Sequence, residues 1–464
     1  MPVRIFKHYV DLPILLLGIL EFILLGASTY VGVGLLIGFD QLPQEHAALL
    51  PRAIAFAVTV WASLTAVGLY HIRRMPTFLG VLLRMGIAFI LAGVLLVLVF
   101  YVVPTLFLER GALALALLVA FALIGGSRLL FSRVVDEDLF KRRVLIFGAG
   151  ERAASLLNLP HRTDMRGFRL VGCVHPQGTP LAVDSKLVIS GAAGLCDLVR
   201  CHDVDEVVVA VEDRRNGLPI QELLDCKLRG TSVTDALSFF ERETGRVNVD
   251  HLYPSWMIFS DGFIRNRIQE LTQRGFDLIA SSVLLLVTWP VMLVTGALIW
   301  LEGGGRHAIL YRQTRVGYEG RAFEVLKFRS MRPDAENDGR AVWAKEDDDR
   351  VTHVGAYIRK YRIDELPQIF NVLRGDMSFV GPRPERPTFV AELSQKIPYY
   401  RERHSVKPGI TGWAQLCYRY GSTDEDALEK LQYDLYYVKN RSFLFDLMIL
   451  LQTAEVVLWR QGAR

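Results

Sequence analysis

Four long runs of hydrophobic positions occupy the first 131 residues, at roughly 12–39, 53–72, 79–105 and 111–130. Each is near the ~20 apolar residues that a helix needs to cross a bilayer. Beyond them the pattern shortens. Residues 143–150, RVLIFGAG, read as a strand entering a glycine turn, with a helix at 151–157. Strands are predicted again at 168–174 and 204–211, and helical spacing at 191–201 and 218–229. This alternation predicts a Rossmann-like α/β unit with a largely parallel sheet. A fifth apolar run, 278–300, has no charge over 23 residues and carries Trp289-Pro290 near its middle. Proline removes a donor and clashes with the preceding turn, so a break or sharp kink is expected there. A last apolar stretch, 443–459, is interrupted by Asp446 and Glu455 and is expected to lie against the interface or the domain.

The predicted organisation is therefore a membrane α-helical bundle of four spans (1–132), a Rossmann-like middle domain (133–262) and a mixed α/β domain (263–464) carrying a re-entrant membrane helix at 278–300. Charge supports this division. Of 53 basic and 49 acidic residues, most follow position 131. The N-terminal apolar block lacks a small-residue cleavage site and is followed by three more, so it reads as a first span rather than a removed signal peptide. Basic residues cluster at Arg4 and Lys7, at Arg73 and Arg74, and at Arg133, Lys141, Arg142 and Arg143. Clusters on one side of the spans place both ends of the bundle in the cytoplasm. Glu21, Arg84 and Arg128 fall inside predicted spans; each either serves function, faces the bundle or snorkels. Arg265, Arg267 and Arg274 precede the fifth run, and Arg306, Arg312 and Arg315 follow it. Basic flanks on both sides favour a helix–break–helix that enters and leaves on the cytoplasmic face over a fifth, kinked span.

The net charge of +4 gives no case for a nucleic-acid partner, and five cysteines without a Cys-x-x-Cys pair give none for zinc. In the middle unit, Gly148-Ala149-Gly150 and Ala153 form part of a dinucleotide fingerprint. The second strand, however, runs into Val174-His175-Pro176, without an acidic residue for a ribose. A structural or assembly role is expected for this unit ahead of a regulatory nucleotide or a nicotinamide, with no tightly bound nicotinamide, and its unassigned surface makes a homodimer a candidate assembly.

The chemistry lies in three later stretches. In 311–331, YRQTRVGYEGRAFEVLKFRSM, a turn at 317–320 separates Arg312 and Arg315 from a predicted strand at 322–328, followed by Lys327, Arg329 and Arg332 at its end and beyond. Arginines on strand ends suit a diphosphate, because the guanidinium fork donates two charge-assisted bonds. They equally suit anionic lipid. In 358–385, Asp364-Glu365 is an adjacent acidic pair after Arg359, Lys360 and Arg362 and before the rigid segment 381–384, GPRP. Adjacent carboxylates on a helical turn diverge by about 100°, so one attacking phosphorus while the other holds a divalent ion is the natural division. In 404–421, tight turns are predicted at Pro408-Gly409 and Thr411-Gly412 beside Trp413. A helix at 422–438 has acidic residues in its first turn.

The motifs YRQTRVG, KFRSM, DELPQ…NVL.GDMS.VGPRP and PGITGWAQ occur in this order. With them the region 265–464 closely resembles the bacterial sugar transferase family, the monotopic polyprenyl-phosphate phosphoglycosyl transferases. The whole chain resembles that family's long membrane form, which includes undecaprenyl-phosphate glucose and galactose phosphotransferases. The resemblance implies transfer of hexose-1-phosphate from a UDP-sugar, glucose or galactose leading, to undecaprenyl phosphate, with release of UMP. It implies Asp364 as the nucleophile of a covalent phosphosugar intermediate and Glu365 as the ligand of Mg²⁺. Lys327, Arg329, Arg359 and Arg383 match basic positions that line the family's phosphate and nucleotide site. Trp289-Pro290 matches the helix break, where many relatives have Ser-Pro. It also implies a multi-pass protein of the bacterial inner membrane, catalytic on the cytoplasmic face, starting exopolysaccharide or O-antigen synthesis. A non-catalytic membrane scaffold is the alternative, but it predicts a lost dyad or lost arginines. A redox or epimerase-type enzyme would need a complete cofactor fingerprint.

Overall fold

The computed structural model describes residues 2–5, 8–70, 78–134, 141–157, 167–176, 179–189, 194–212, 218–252, 254–260, 262–263, 267–305, 307–332, 350–418, 421 and 423–458. Lys7, Arg73, Arg74, Arg265 and Arg306 of the charge argument lie outside these residues. The chain divides into two compact units, one essentially 1–245 and one 246–464.

In the first unit, two short strands, β1 (Pro2–Ile5) and β2 (His8–Asp11), precede four long helices. These are α1 (Leu12–Ile37), α2 (Leu42–Ala66), α3 (Phe78–Val102) and α4 (Arg110–Val134). All four contain stretches long and apolar enough to cross a membrane, as does one helix of the second unit. The close packing of α1 on α4 has a local cause: a Cβ on Gly32 would run into the Ala116 backbone. Two of the charges inside the runs find each other. Glu21 is fully buried, forms an ion pair with Arg128 (Nε 2.7 Å away) and accepts from its Nη2 at 2.9 Å, while Arg128 Nη1 donates to the Leu69 carbonyl at 2.7 Å. Arg84 instead reaches the Val67 carbonyl at 3.3 Å.

The parallel α/β part of this unit has strand order β4-β3-β5-β6: β3 (Arg142–Phe147), β4 (Phe168–Val174), β5 (Glu206–Val209) and β6 (Ser232–Asp235). Helices α5 (Glu151–Leu157), α6 (Leu195–Cys201), α7 (Ile220–Leu228) and α8 (Ala236–Thr244) connect or follow the strands. Two apolar layers enclose the sheet, one around Val144, Ile146 and Phe239, the other around Leu145, Val207 and Leu198. Beneath them Glu206 is buried among Arg142, Arg242 and Thr234.

The second unit begins before the boundary read from the sequence. Val247 N donates to the Gln432 carbonyl at 3.0 Å, and the Lys439 ammonium lies 3.9 Å from the centre of the Trp256 ring, in the short helix α9 (Pro254–Phe259). Helix α10 (Arg267–Glu302) follows. The interruption expected at Trp289-Pro290 is not a gap in this helix, which runs through with Pro290 inside it. Proline withdraws a single donor, and apolar helix-forming sequence continues on both sides. Thr288 Oγ1 binds the Leu284 carbonyl at 2.7 Å, one of the side-chain bonds that help proline-containing helices persist in lipid.

Both ends of α10 are fastened to the same unit. Near its start, Arg274 donates to the carbonyls of Val372 and Leu373, both at 2.6 Å, and buried Asp277 accepts from Ser378 Oγ and Phe379 N. Near its end, Ile299 packs on Phe328 and Ile358, and Glu302 accepts from Val354 N at 3.2 Å. Between them Leu286, Val287 and Trp289 are exposed.

The remaining elements are the hairpin β7 (Leu310–Val316) and β8 (Ala322–Phe328), then α11 (His353–Lys360), α12 (Gln368–Arg374), β9 (Ser378–Val380), α13 (Pro387–Lys396), β10 (Gly409–Thr411), α14 (Trp413–Cys417), α15 (Asp424–Asn440) and α16 (Phe443–Leu458). Residues 409–411, expected to be part of two turns, instead pair in parallel with β9. The glycines there serve close approach: a Cβ on Gly381 would strike the Lys407 carbonyl, and one on Gly412 the Gly381 carbonyl.

Candidate active site

The acidic pair sits on a tight turn between two helices. Thr352 caps α11 through its side chain, and α11 ends in Arg359 and Lys360. Arg362 then takes the left-handed conformation, φ 58°, which a non-glycine residue adopts at some cost. A single 3-10 turn, Ile363–Glu365, follows, and Leu366 and Pro367 lead into α12. The reversal at Arg362 turns the next two carboxylates toward the β7–β8 hairpin.

Glu365 Oε1 accepts from Lys327 Nζ at 3.2 Å and Arg383 Nη2 at 3.0 Å, and Arg362 lies 3.7 Å from its other oxygen. Burial opposes its charge, but Lys327, Arg383 and Arg362 outweigh that and hold the carboxyl well below the usual range. Asp364 moves the other way. Burial, and then the Glu365 charge, push its carboxyl up against Lys327, Arg362 and Arg359. Adjacent carboxylates thus acquire different properties: one locked as an anion, one more basic and less tied by hydrogen bonds. That division suits a nucleophile beside an electrostatic anchor.

Lys327, Arg359 and Arg383, read as candidates from the sequence, all act on the dyad. Two others are directed elsewhere. Register pairs Tyr311 with Lys327 and Arg312 with Leu326, so Arg312 projects from the opposite face of the hairpin. There it is exposed and approaches Glu324 at 3.5 Å. Arg329 donates from Nε to the Ala308 carbonyl at 2.8 Å and ties the strand end to the segment after α10.

Positioning residues to which the sequence reading gave no such role complete the cradle. Asn371, fully buried on α12, accepts from Leu326 N at 2.9 Å and donates to the Glu324 carbonyl at 2.7 Å. It occupies the edge of β8 as a neighbouring strand would and fixes the residue beside Lys327. Arg403 and Asp434 form a buried ion pair at 2.7 Å, and Arg403 Nη2 also donates to the Arg383 carbonyl at 3.0 Å. A lone polar residue inside the apolar run 369–373 is the sequence signal that marks Asn371.

Among the described residues no group of three or more His, Cys, Asp or Glu side chains converges as a metal cage. Glu365 does fit the sparser demand of Mg²⁺ bound with a phosphate substrate, where one or two carboxylates suffice and phosphate and water oxygens supply the rest.

Comparison with known proteins decides the family. Residues 268–460 match the family described as bacterial sugar transferase. The undecaprenyl-phosphate galactose phosphotransferase of Salmonella typhimurium is 32% identical over 369 residues, 74% of each chain. The chain belongs to the bacterial sugar transferase family. The UDP-glucose:undecaprenyl-phosphate glucose-1-phosphate transferase of Escherichia coli is 40% identical over 327 residues, covering 68% of this chain and 67% of that one. The UDP-N-acetylgalactosamine-undecaprenyl-phosphate N-acetylgalactosaminephosphotransferase of Aeromonas hydrophila is 42% identical over 242 residues. The match spans 56% of that relative's length. With its long apolar helices and these relatives, this family member is a membrane protein.

Residues 65–222 match a second family, described as CoA-binding domain. The glycine turn at the end of β3 does not fit the diphosphate of such a cofactor. A Cβ on Gly150 would overlap the Glu212 carboxylate, so an acidic side chain already covers the turn. An anion there meets like charge, and no chemistry is assigned to the turn.

Proposed function

We propose that this protein transfers the sugar-1-phosphate of a UDP-hexose, with glucose or galactose as the leading donors, to undecaprenyl phosphate. The reading rests on one observation: Asp364 stands on a strained turn beside a carboxylate clamped by Lys327 and Arg383. A carboxylate attacks a diphosphate only where positive charge offsets the anionic phosphates, and this cradle supplies it.

In the first step an Asp364 carboxylate oxygen bonds to the β-phosphorus of the donor. The bond from that phosphorus to the bridging oxygen breaks, and UMP leaves with the electron pair. In the second step an oxygen of undecaprenyl phosphate attacks the same phosphorus, the acyl phosphate bond breaks, and the carboxylate is restored. Lys327, Arg359 and Arg383 hold the phosphates in line and neutralise charge that develops on their oxygens. Glu365, with substrate phosphates, would hold Mg²⁺, which when bound would supply further neutralisation of the diphosphate.

The lipid acceptor requires the dyad to work at the bilayer surface. Helix α10 supports a re-entrant course on the cytoplasmic side, because its two ends are fastened to one folded unit while its middle is apolar and exposed. A straight crossing would carry those ends to opposite sides. Reporters fused after residue 143 and at residue 464 should both read cytoplasm; opposite sides would leave a fifth true span.

The reaction is tested by UMP release from a panel of UDP-sugars, including UDP-N-acetylgalactosamine, with and without undecaprenyl phosphate. Lipid-dependent, multiple-turnover release with one sugar supports it. No release with any member of the panel would favour the scaffold reading.

A further inference from the structure

Two cysteines of the α/β part meet. Cys196 on α6 and Cys226 on α7 are 30 residues apart in the chain, yet their Sγ atoms stand 3.2 Å from each other. The contact is held from several points. The Glu222 carboxylate of α7 accepts from Leu195 N at 2.6 Å, and the Glu222 carbonyl accepts from Cys196 Sγ at 3.5 Å. Leu195, Leu198, Leu223 and Cys226 are buried together in the apolar layer on that face of the sheet. Packing of the two helices, rather than one free rotamer, brings the thiols together.

The two sulfurs are unequal. Cys226 is buried, and burial, followed by its hydrogen bond with Cys196, pushes its thiol up to about 12. It therefore keeps its proton at neutral pH. Cys196 is only half-buried. It spends its S–H on the Glu222 carbonyl, which leaves Cys226 as the donor within the pair. Buried cysteines usually act as small hydrophobes, and thiols that only pack are indifferent to oxidant. Here one sulfur is reachable and a second, still protonated, stands in contact behind it. That is the arrangement of an attacking thiol and a resolving one.

We propose that Cys196 and Cys226 form a dithiol site whose reactant is a hydroperoxide, which closes it to a disulfide bridging α6 and α7. Cys196, as the thiolate, attacks a peroxide oxygen. The O–O bond breaks, and the departing oxygen takes up the proton that Cys196 lost and leaves as water or an alcohol. Cys196 is then a sulfenic acid. The Cys226 sulfur attacks the Cys196 sulfur, the S–O bond breaks, and the hydroxyl leaves as water with the Cys226 proton. Two thiols give up two electrons and the peroxide accepts them. A disulfide holds its sulfurs roughly 2.0 Å apart, so the pair closes by about 1.2 Å, a distance that rotation about side-chain bonds can supply.

Two other cysteines of this unit are placed to serve as controls. Cys173 lies in the apolar layer on the opposite face of the sheet. Cys201 is exposed on α6, but five residues beyond Cys196 it points about 140° away round the helix.

The test treats the full chain in detergent with hydrogen peroxide, then denatures it, alkylates free thiols and maps peptides without reduction. Cys196 and Cys226 should lose their labels together and appear as one cross-linked peptide, lighter by about 2 Da than the two thiol peptides combined. Dithiothreitol should restore both labels. With more peroxide Cys201 should climb to sulfinic and sulfonic acid while the closed pair is spared. Cys226→Ala should halt the reaction at a sulfenic acid on Cys196, captured by dimedone, and Cys196→Ala should leave Cys226 unmodified. Should either variant fail to fold, the wild-type map decides alone. Full labelling of both thiols after an exposure that has oxidised Cys201 would overturn the proposal. So would a wild-type sulfenic acid on Cys196 that never closes, or a disulfide from Cys196 to any other cysteine.

Discussion

Replacing Asn371 with alanine separates a positioning residue from the charges it positions. The side chain makes two bonds to the edge of β8, at 2.9 and 2.7 Å, on either side of Val325. Alanine leaves the Leu326 N–H without its partner in a buried place, a loss of ~1–3 kcal/mol. The Glu324 carbonyl is closer to solvent and water can replace its bond, so the total stays at the upper part of that range. The consequence for rate runs through Lys327, next along the strand, whose 3.2 Å bond to Glu365 depends on β8 holding its register. Bonds to charged groups contribute ~1.5–3 kcal/mol, so a displaced Lys327 should lower kcat/KM by roughly 10- to 100-fold. The assay is a double-mutant cycle on UMP release. Asn371→Ala should slow the wild type by that factor, yet slow a Lys327→Met background by no more than about twofold. Equal factors in both backgrounds would refute the coupling and leave Asn371 with a purely structural effect.

Three further outcomes follow from the geometry. Arg312→Ala should leave kcat/KM within about twofold, whereas Arg383→Ala should lower it at least about a hundredfold, because only Arg383 reaches the dyad; steady-state kinetics decide this. Since burial and Glu365 raise the Asp364 carboxyl, activity should fall on acidification at a pH above that of an ordinary aspartate. Removing a neutralising cation by Arg359→Met should move this acid limb higher still, and a limb that stays in place or moves down would count against Asp364 as the titrating nucleophile. In the bundle, Glu21→Leu alone strands the buried Arg128 and should cost ~3–5 kcal/mol, seen as lower yield and Tm. Glu21→Leu with Arg128→Leu should recover most of the loss.

Periodicity made much of this architecture legible. The strands at 168–174 and 322–328 stand where alternation and β-branching placed them, and the apolar runs became long helices. Strand β6, with its polar sequence SVTD, has no apolar face to announce it and forms because β5 offers an edge. Proline at 290 signalled a break, but its cost is local and the surrounding helix carries it. The acidic pair and its neighbouring cations were legible as candidates, because a carboxylate pair among positive charges stands out in the sequence. Which arginines face it was not, because neighbouring strand residues point to opposite faces and only the register of β7 on β8 tells Arg312 from Lys327's partners. The positioning roles of Asn371, Arg403 and Asp434 were hidden for a related reason. Their work is done by burial and by contacts between segments far apart in the chain.

The central claim is that Asp364 bonds to phosphorus. The most direct measurement is the intact mass of the protein mixed with UDP-sugar alone, with undecaprenyl phosphate withheld. The account predicts a hexose-phosphate adduct that maps to Asp364, disappears when undecaprenyl phosphate is added, and is missing in a folded, donor-binding Asp364→Asn variant. An adduct on another residue, or near-normal turnover by Asp364→Asn, would contradict it and point to direct transfer between the two substrates.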